Sequence, residues 1–213
     1  MLLLDVSSLP LRSTPPALGA DAVHLWLWRQ AGTSGRDTVQ DVLAGYLGRP
    51  PGSLALRRNA YGKPLLDEAG LHCNWSHSGD LWALALARQA EVGVDVEMPR
   101  RERDVLALAQ RFFAPAETAA LAALQGTERQ TAFYALWTGK EAVLKALGRG
   151  IAFGLERLEF GFDGGLPGDL RWIAPEAGVA AAWQVVRFAP RAGAHGALAW
   201  HGPAREVSGF RPV

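Results

Sequence analysis

The sequence predicts an α+β fold made of two similar halves, and three observations carry that expectation. The order strand, helix, strands occurs twice along 213 residues, the second time with several helical stretches ahead of the strands. Hydrophobic residues make up 49% of the chain and charged residues 20%, as in a globular protein long enough for one large core or two small ones sharing an interface. A polar, basic stretch with a proline, Met98 to Arg103, separates the halves and gives residues 1–98 and 99–213.

In the first half, Val23, Leu25 and Leu27 alternate with His24, Trp26 and Trp28, which predicts a strand over Ala22 to Arg29 covered on both faces. A Pro-rich loop, Ser13 to Gly19, precedes it. Asp37 starts a helix running to about Tyr46, with Val39, Val42 and Leu43 on its inner face, and Gly48 to Ser53 breaks it. Arg57 and Arg58 lead into a turn-rich loop, Asn59 to Pro64. Leu71 to Ser78 is extended, and Leu81 to Arg88 with Glu91 to Glu97 predict an antiparallel hairpin. The second half opens with helices over Asp104 to Arg111 and Pro115 to Leu124, the latter with proline at its first position. A long helix follows, opened by Thr127 and Gln130 as a capping box and stopped by Gly148 and Gly150. Leu158 to Phe162, Leu170 to Ile173, Ala181 to Phe188 and Gly196 to Trp200 predict strands, and the tail after His201 reads as a loose end.

Charge and cysteine usage narrow the classes of function. A net charge of +1 gives no global reason to bind nucleic acid or an anionic membrane. The single cysteine, Cys73, rules out an internal disulfide and a cysteine-rich metal site; it fits a reducing compartment and a small core residue. The opening MLLLDVSSLPLR lacks a basic n-region and is interrupted by Asp5, so no signal peptide is expected. No apolar run approaches the length of a membrane span, and the expectation is a soluble cytoplasmic protein.

Five stretches can carry chemistry. Gly93-Val94-Asp95-Val96-Glu97 on a strand sends the valines one way and Asp95 and Glu97 the other. Two hard carboxylates a residue apart suit Mg²⁺, although acids also alternate on ordinary solvent-facing strands. Along the long helix, Phe133, Leu136, Trp137, Lys140, Leu144 and Leu147 form an apolar stripe, and Trp137, Glu141 and Lys145 form a row beside it at spacings of four. Glu141 and Lys145 are either an exposed helix pair or a working carboxylate and ammonium. Ser76-His77-Ser78-Gly79 groups hydroxyls and an imidazole that can hold a phosphate. Gly62-Lys63-Pro64 can present a cation and backbone N–H groups to an anion, or be a plain turn. Glu117 stands in the first turn of its helix after Phe112 and Phe113, where the helix dipole alone favours an acid. Of the 22 lysines and arginines only Lys63, Lys140 and Lys145 are lysines, and all three lie in these stretches.

Taken in this order and spacing, the stretches resemble the 4′-phosphopantetheinyl transferase superfamily, in its larger, monomeric, surfactin-synthetase type. The resemblance rests on Gly62-Lys63-Pro64, Asn74 to Asp80, Gly93 to Glu97, Arg111-Phe112-Phe113 to Glu117, and the W-x-x-K-E-A-x-x-K pattern of Trp137 to Lys145. It implies an enzyme of two pseudo-symmetric halves with the site in the cleft between them. Such an enzyme moves the phosphopantetheine arm of coenzyme A to a serine of an acyl or peptidyl carrier protein and releases adenosine 3′,5′-bisphosphate. By the resemblance, Asp95, Glu97 and Glu141 hold Mg²⁺, Glu141 is also the base, and Lys145, Ser76 and His77 meet the phosphates. Gly62, Lys63 and Pro64 lie near the adenosine. The lysine-rich N-terminal stretch of the long members is missing, since residues 1–56 contain no lysine, and Arg36 is the first substitute, with Arg57 or Arg58 behind it. A Glu141 beside a cation is expected to have a low pKa, so its basicity would come from position. Two other readings are a Mg²⁺-dependent hydrolase of nucleotide pyrophosphates and a carrier-protein binding module without catalysis.

Overall fold

The computed structural model describes all residues except 1, 4–5, 31–34, 55, 67–69 and 100–102, so part of the expected boundary stretch lies outside the described residues. In chain order the first elements are β1 (Leu2–Leu3), β2 (Leu11–Arg12), β3 (Ala22–Arg29) and α1 (Gly35–Tyr46). There follow β4 (Arg57–Arg58), β5 (Pro64–Leu65), β6 (Leu71–Ser78), β7 (Leu81–Arg88) and β8 (Val92–Glu97). The helices α2 (Val105–Phe112), α3 (Pro115–Ala123) and α4 (Gly126–Leu147) come next, then β9 (Leu158–Asp163), β10 (Leu166–Ile173), β11 (Trp183–Ala189), β12 (His195–His201) and β13 (Glu206–Pro212). The fold is α+β, as expected.

Two larger sheets organise the chain. One has five strands in the order β2-β13-β3-β7-β6, the other four in the order β1-β11-β12-β8. On β3, Leu25 and Leu27 join Val94, Val96, Leu198 and Trp200 in an apolar layer between the sheets. On its other face, Trp26 and Trp28 pack with Val39, Val42 and Leu43 of α1. Alternation in β3 therefore reports a strand with two cores, as the sequence predicts. The far side of the four-stranded sheet meets α4, where Ala142, Val143 and Ala146 share a core with Ala197 and Ala199. Cys73 is in the α1 core, and burial pushes its thiol up to about 12, as expected of an inert core residue.

Three expectations need correction. The predicted hairpin is absent: both edges of β7 are taken by β3 and β6, and β8 pairs antiparallel with β12 in the other sheet. The chain turns out of the first sheet at Gln89, which holds a positive φ of 55°. The tail is not loose either. As β13 it pairs parallel with β3 from Glu206 to Phe210, filling that strand's second edge. Finally, α4 starts one residue before Thr127, with Gln125 at the N-cap and no side-chain cap bond. Its stop is as predicted, with Gly148 in the left-handed region at φ 69°.

Gly93 explains how closely α4 lies on β8. A Cβ at this position would sit 2.0 Å from the carbonyl oxygen of Ala142 and 2.5 Å from the amide nitrogen of Ala146. These are backbone atoms of the helix and cannot swing aside. Gly93→Ala is expected to force strand and helix apart and cost about 3 kcal/mol or more, since overpacking against side chains alone already costs 1–3 kcal/mol. Urea unfolding of the variant would check this, and wild-type stability would contradict it.

Candidate active site

The helix α4 supplies Glu141 and Lys145 from the turns that cross β8. Val92, Val94 and Val96 point into the core between the sheets, and this alternation sends Asp95 to the opposite face. Lys145 donates from Nζ to Asp95 Oδ1 at 2.6 Å and to Ser76 Oγ at 2.9 Å. Ser76 in turn donates to the same Asp95 Oδ1 at 2.7 Å. Ser78 donates to Glu97 Oε2 at 3.0 Å. Lys145 is thus paired with an acid on β8, outside its own helix, in place of the exposed pair with Glu141 that the helix spacing allows.

Glu141 is buried, at 9% exposure, and its Oε1 has no hydrogen-bond partner among the described residues. Burial, reinforced by the charge of Asp95, pushes its carboxyl up to about 7, while Lys145 pulls the other way and Glu97 adds to the rise. The expectation of a low pKa is therefore corrected: the Lys145 charge is committed to Asp95. Glu97 is raised as well, by burial first and then by Asp95. The Asp95 charge thus raises both Glu97 and Glu141, and Glu97 adds to the rise at Glu141. Asp95 Oδ2 is, like Glu141 Oε1, a buried acceptor without a partner among the described residues.

Two orphaned buried carboxylate oxygens among mutually repelling acids are the surroundings a divalent cation relieves. Among the described residues no three His, Cys, Asp or Glu side chains form a ready metal-binding group. The donor set fits Mg²⁺, which is usually held by one or two carboxylates and completes its octahedron with water and substrate phosphate oxygens.

Glu141 and Lys145 open into a cleft of about 220 Å³ whose other walls include Arg58, Tyr61, Gly62, Lys63 and Trp75. Pro64 also lines it, and the Arg58 guanidinium lies over the Trp75 ring at 5.4 Å. The Asn59–Lys63 loop is tied to the end of α4. Asn59 Nδ2 donates to the Gly148 carbonyl at 2.8 Å, and Lys63 Nζ donates to the Ala146 carbonyl at 2.8 Å. Lys63 also pairs with Glu91, so its ammonium serves the helix terminus although the residue borders the cleft. A larger cavity of about 870 Å³, by Ala135, Arg187 and His195, contains none of the three acids. Of the three acids Glu141, pushed up to about 7, lines the smaller cleft beside Lys145, which binds Asp95, and this marks the smaller cleft as the candidate site.

The remaining expected residues are placed less directly. His77 is exposed and stacks on Trp82, with ring centroids 4.5 Å apart, on the strand face opposite Ser76 and Ser78. Gly35, at the start of α1, packs so tightly on the same Trp82 that a Cβ would lie 2.1 Å from the indole, and Arg36 is the next residue, exposed. Arg36 does not line the cleft, whereas Arg58 does. Trp75 and Tyr61 were not legible as cleft residues, because nothing in a single strand or turn shows which aromatic stays uncovered.

Glu117 and Lys140 form a separate polar knot. Both side chains are fully buried and paired at 2.7 Å. Glu117 accepts the Phe160 N–H at 2.8 Å and the Ala114 N–H at 3.0 Å, while Lys140 donates to the carbonyls of Leu155, at 2.8 Å, and Leu158. Burial works against charge on both, pushing Glu117 up and Lys140 down, and the pairing opposes it. The knot ties α3, α4 and β9 together one residue from Glu141.

The family described as the 4′-phosphopantetheinyl transferase superfamily matches residues 91–199, a stretch that includes β8 and α4. The chain is 37% identical over 166 residues to the 4′-phosphopantetheinyl transferase HetI of a Nostoc species, covering 76% of this chain and 67% of that one. It is 35% identical over 123 residues to the 4′-phosphopantetheinyl transferase psf-1 of Bacillus pumilus, covering 57% and 51%. The human L-aminoadipate-semialdehyde dehydrogenase-phosphopantetheinyl transferase is 31% identical over 143 residues, covering 62% and 46%. The chain thus spans two thirds of the first of these relatives and about half of the other two. Among the described residues no helix is long and apolar enough to cross a membrane.

Proposed function

Because the chain belongs to the 4′-phosphopantetheinyl transferase superfamily, we propose that it transfers the phosphopantetheine arm of coenzyme A to a serine of an acyl or peptidyl carrier protein. The observation that carries this reading is the meeting of Asp95 and Glu141, each with a buried, unpartnered carboxylate oxygen, beside Lys145 at the cleft. In the reaction the carrier serine oxygen bonds to the phosphorus that bears the pantetheine. The bond from that phosphorus to the bridging oxygen breaks, and adenosine 3′,5′-bisphosphate leaves with the electron pair. Glu141 takes the serine proton. A carboxyl pushed up to about 7 suits that task near neutral pH.

Asp95 and Glu141, with Glu97 beside them, would hold Mg²⁺, which when bound offsets charge on the pyrophosphate. Lys145 keeps Asp95 in place and adds positive charge at the cleft. Arg58, Tyr61 and Trp75 offer a cation and two aromatic faces for the nucleotide end of coenzyme A. The Asn59–Lys63 loop, anchored on α4, keeps that wall in register with Glu141. His77, which stacks on Trp82, and Arg36, which follows the Gly35 packed on the same ring, are assigned to the 3′-phosphate. The site lies between residues 1–98 and 99–213 taken as two halves; in support, Ser76 and Asp95 come from the first and Glu141 and Lys145 from the second. The enzyme is taken as a cytoplasmic monomer with no nucleic-acid or membrane partner.

The test is incubation of the protein with coenzyme A, Mg²⁺ and a serine-bearing apo-carrier protein, followed by mass spectrometry. The carrier is expected to gain the mass of the arm, and Asp95→Ala is expected to lower the rate at least a hundredfold, as removing a charged group from a phosphoryl-transfer site does. Breakdown of coenzyme A that leaves the carrier unmodified would overturn the transferase reading in favour of a hydrolase.

A further inference from the structure

The strands β6 and β8 belong to different sheets and share no backbone ladder among the described residues, yet they run side by side. Alternate side chains of β6 bridge the gap. Asn74 Oδ1 accepts the Val94 N–H at 3.0 Å, Ser76 donates to Asp95 at 2.7 Å, and Ser78 donates to Glu97 at 3.0 Å. Ser78 Oγ also accepts the Met98 N–H at 3.0 Å. Asn74, Ser76 and Ser78 are each two residues apart, so one face of one strand supplies every rung. The seam between the sheets is thus a side-chain ladder, and two of its three rungs end on the acids of the candidate site.

The pattern at Asp95 is selective. Ser76 and Lys145 both point at Oδ1, while Oδ2 is left buried with no partner. A carboxylate held this way cannot rotate without breaking two bonds, one of them charge-assisted. We infer that Ser76 and Ser78 are positioning residues, whose hydroxyls hold Asp95, with its buried Oδ2 left to a cation, and Glu97 in fixed orientations for the proposed metal site. This deepens the transferase reading and rests on it. It differs from a phosphate-binding role for the serines, because the Ser76 hydroxyl is already engaged as donor to Asp95 and acceptor from Lys145. Partners behind a metal ligand commonly govern affinity by 10–100-fold.

The test compares wild type with Ser76→Ala, Ser76→Thr and Ser78→Ala. Mn²⁺ binding in the presence of coenzyme A is followed by the loss of the free-ion electron paramagnetic resonance signal. Thermal unfolding, and kcat and KM for coenzyme A, are measured on the same samples. Ser76→Ala is expected to bind Mn²⁺ about tenfold more weakly, with kcat reduced, KM for coenzyme A nearly unchanged, and the loss largely restored by Ser76→Thr. Should Ser76→Ala not fold, Ser78→Ala gives the same reading for Glu97. Wild-type Mn²⁺ affinity in the folded alanine variants, or an effect on KM alone, overturns the inference while leaving the transferase reading intact. A wild type that neither binds Mn²⁺ nor modifies the carrier overturns both.

Discussion

Glu141→Gln is expected to slow carrier modification by about a thousandfold, within the range that general acid–base catalysis contributes, while making the metal-free protein more stable above neutral pH. The first effect is loss of the proposed base and of a metal-facing oxygen at nearly constant volume. The second follows from linkage. Folding raises the Glu141 carboxyl from 4.5 to about 7, so the native state holds a proton that the unfolded chain has released. Below pH 4.5 both states are protonated and Glu141 costs nothing. Stability then falls as the pH rises from 4.5 to about 7, and the full penalty is present above that. A gap of about two and a half units corresponds to roughly 3 kcal/mol, an upper bound since the acids relax together. Glutamine carries no such penalty. Urea unfolding without metal should therefore favour Glu141→Gln at pH 8 and show little difference at pH 5. A variant less stable than wild type at pH 8 would contradict the assignment of Glu141 as a destabilised carboxylate, and full activity would contradict its role. A cation bound at the proposed site would relieve the same penalty, since it offsets the repulsion that folding has built in.

The second large effect is expected at the Glu117–Lys140 knot. Lys140→Ala leaves Glu117 buried without its counter-ion and should cost about 3–5 kcal/mol, as breaking a buried ion pair does. Glu117→Ala should cost a similar amount, because it also strips the acceptor from the Phe160 and Ala114 amides. The double variant should lose less than the sum of the two, since each single change already destroys the shared contact. Chemical denaturation of the four proteins measures this, and strict additivity would mean that the pair contributes nothing as a pair. Activity should fall in both single variants through displacement of α4, with partial recovery where the helix is restored.

Much of the candidate site was legible from local pattern. The period-two alternation of Gly93 to Glu97 sends valines inward and Asp95 outward whatever the sheet, so the acid's orientation follows from the strand alone. The helical spacing of Glu141 and Lys145, and the αL stop at Gly148, likewise depend only on backbone geometry within one element. Lys140 on the apolar stripe of α4 was a visible anomaly, and its explanation is a carboxylate more than twenty residues upstream. Adjacent strands usually pair, and β7 does so with β6 before it; nothing local announces that β3 takes its other edge and leaves β8 to pair elsewhere.

The sequence by itself determined the secondary structure around the acids, the family, and which residue types were available for the proposed Mg²⁺-dependent phosphoryl transfer. Those are properties of short stretches, where periodicity and side-chain chemistry act within a few residues. Only the tertiary structure decided that Lys145 serves Asp95, that Glu141 is held near neutrality, and that the Lys63 ammonium caps α4. It also decided that β8 and β13 leave their neighbours in sequence for the opposite sheets. The physical reason is common to all of these. Ion pairing and desolvation depend on what packing brings within a few ångströms, and the groups that meet here lie between 50 and 83 residues apart where they touch α4.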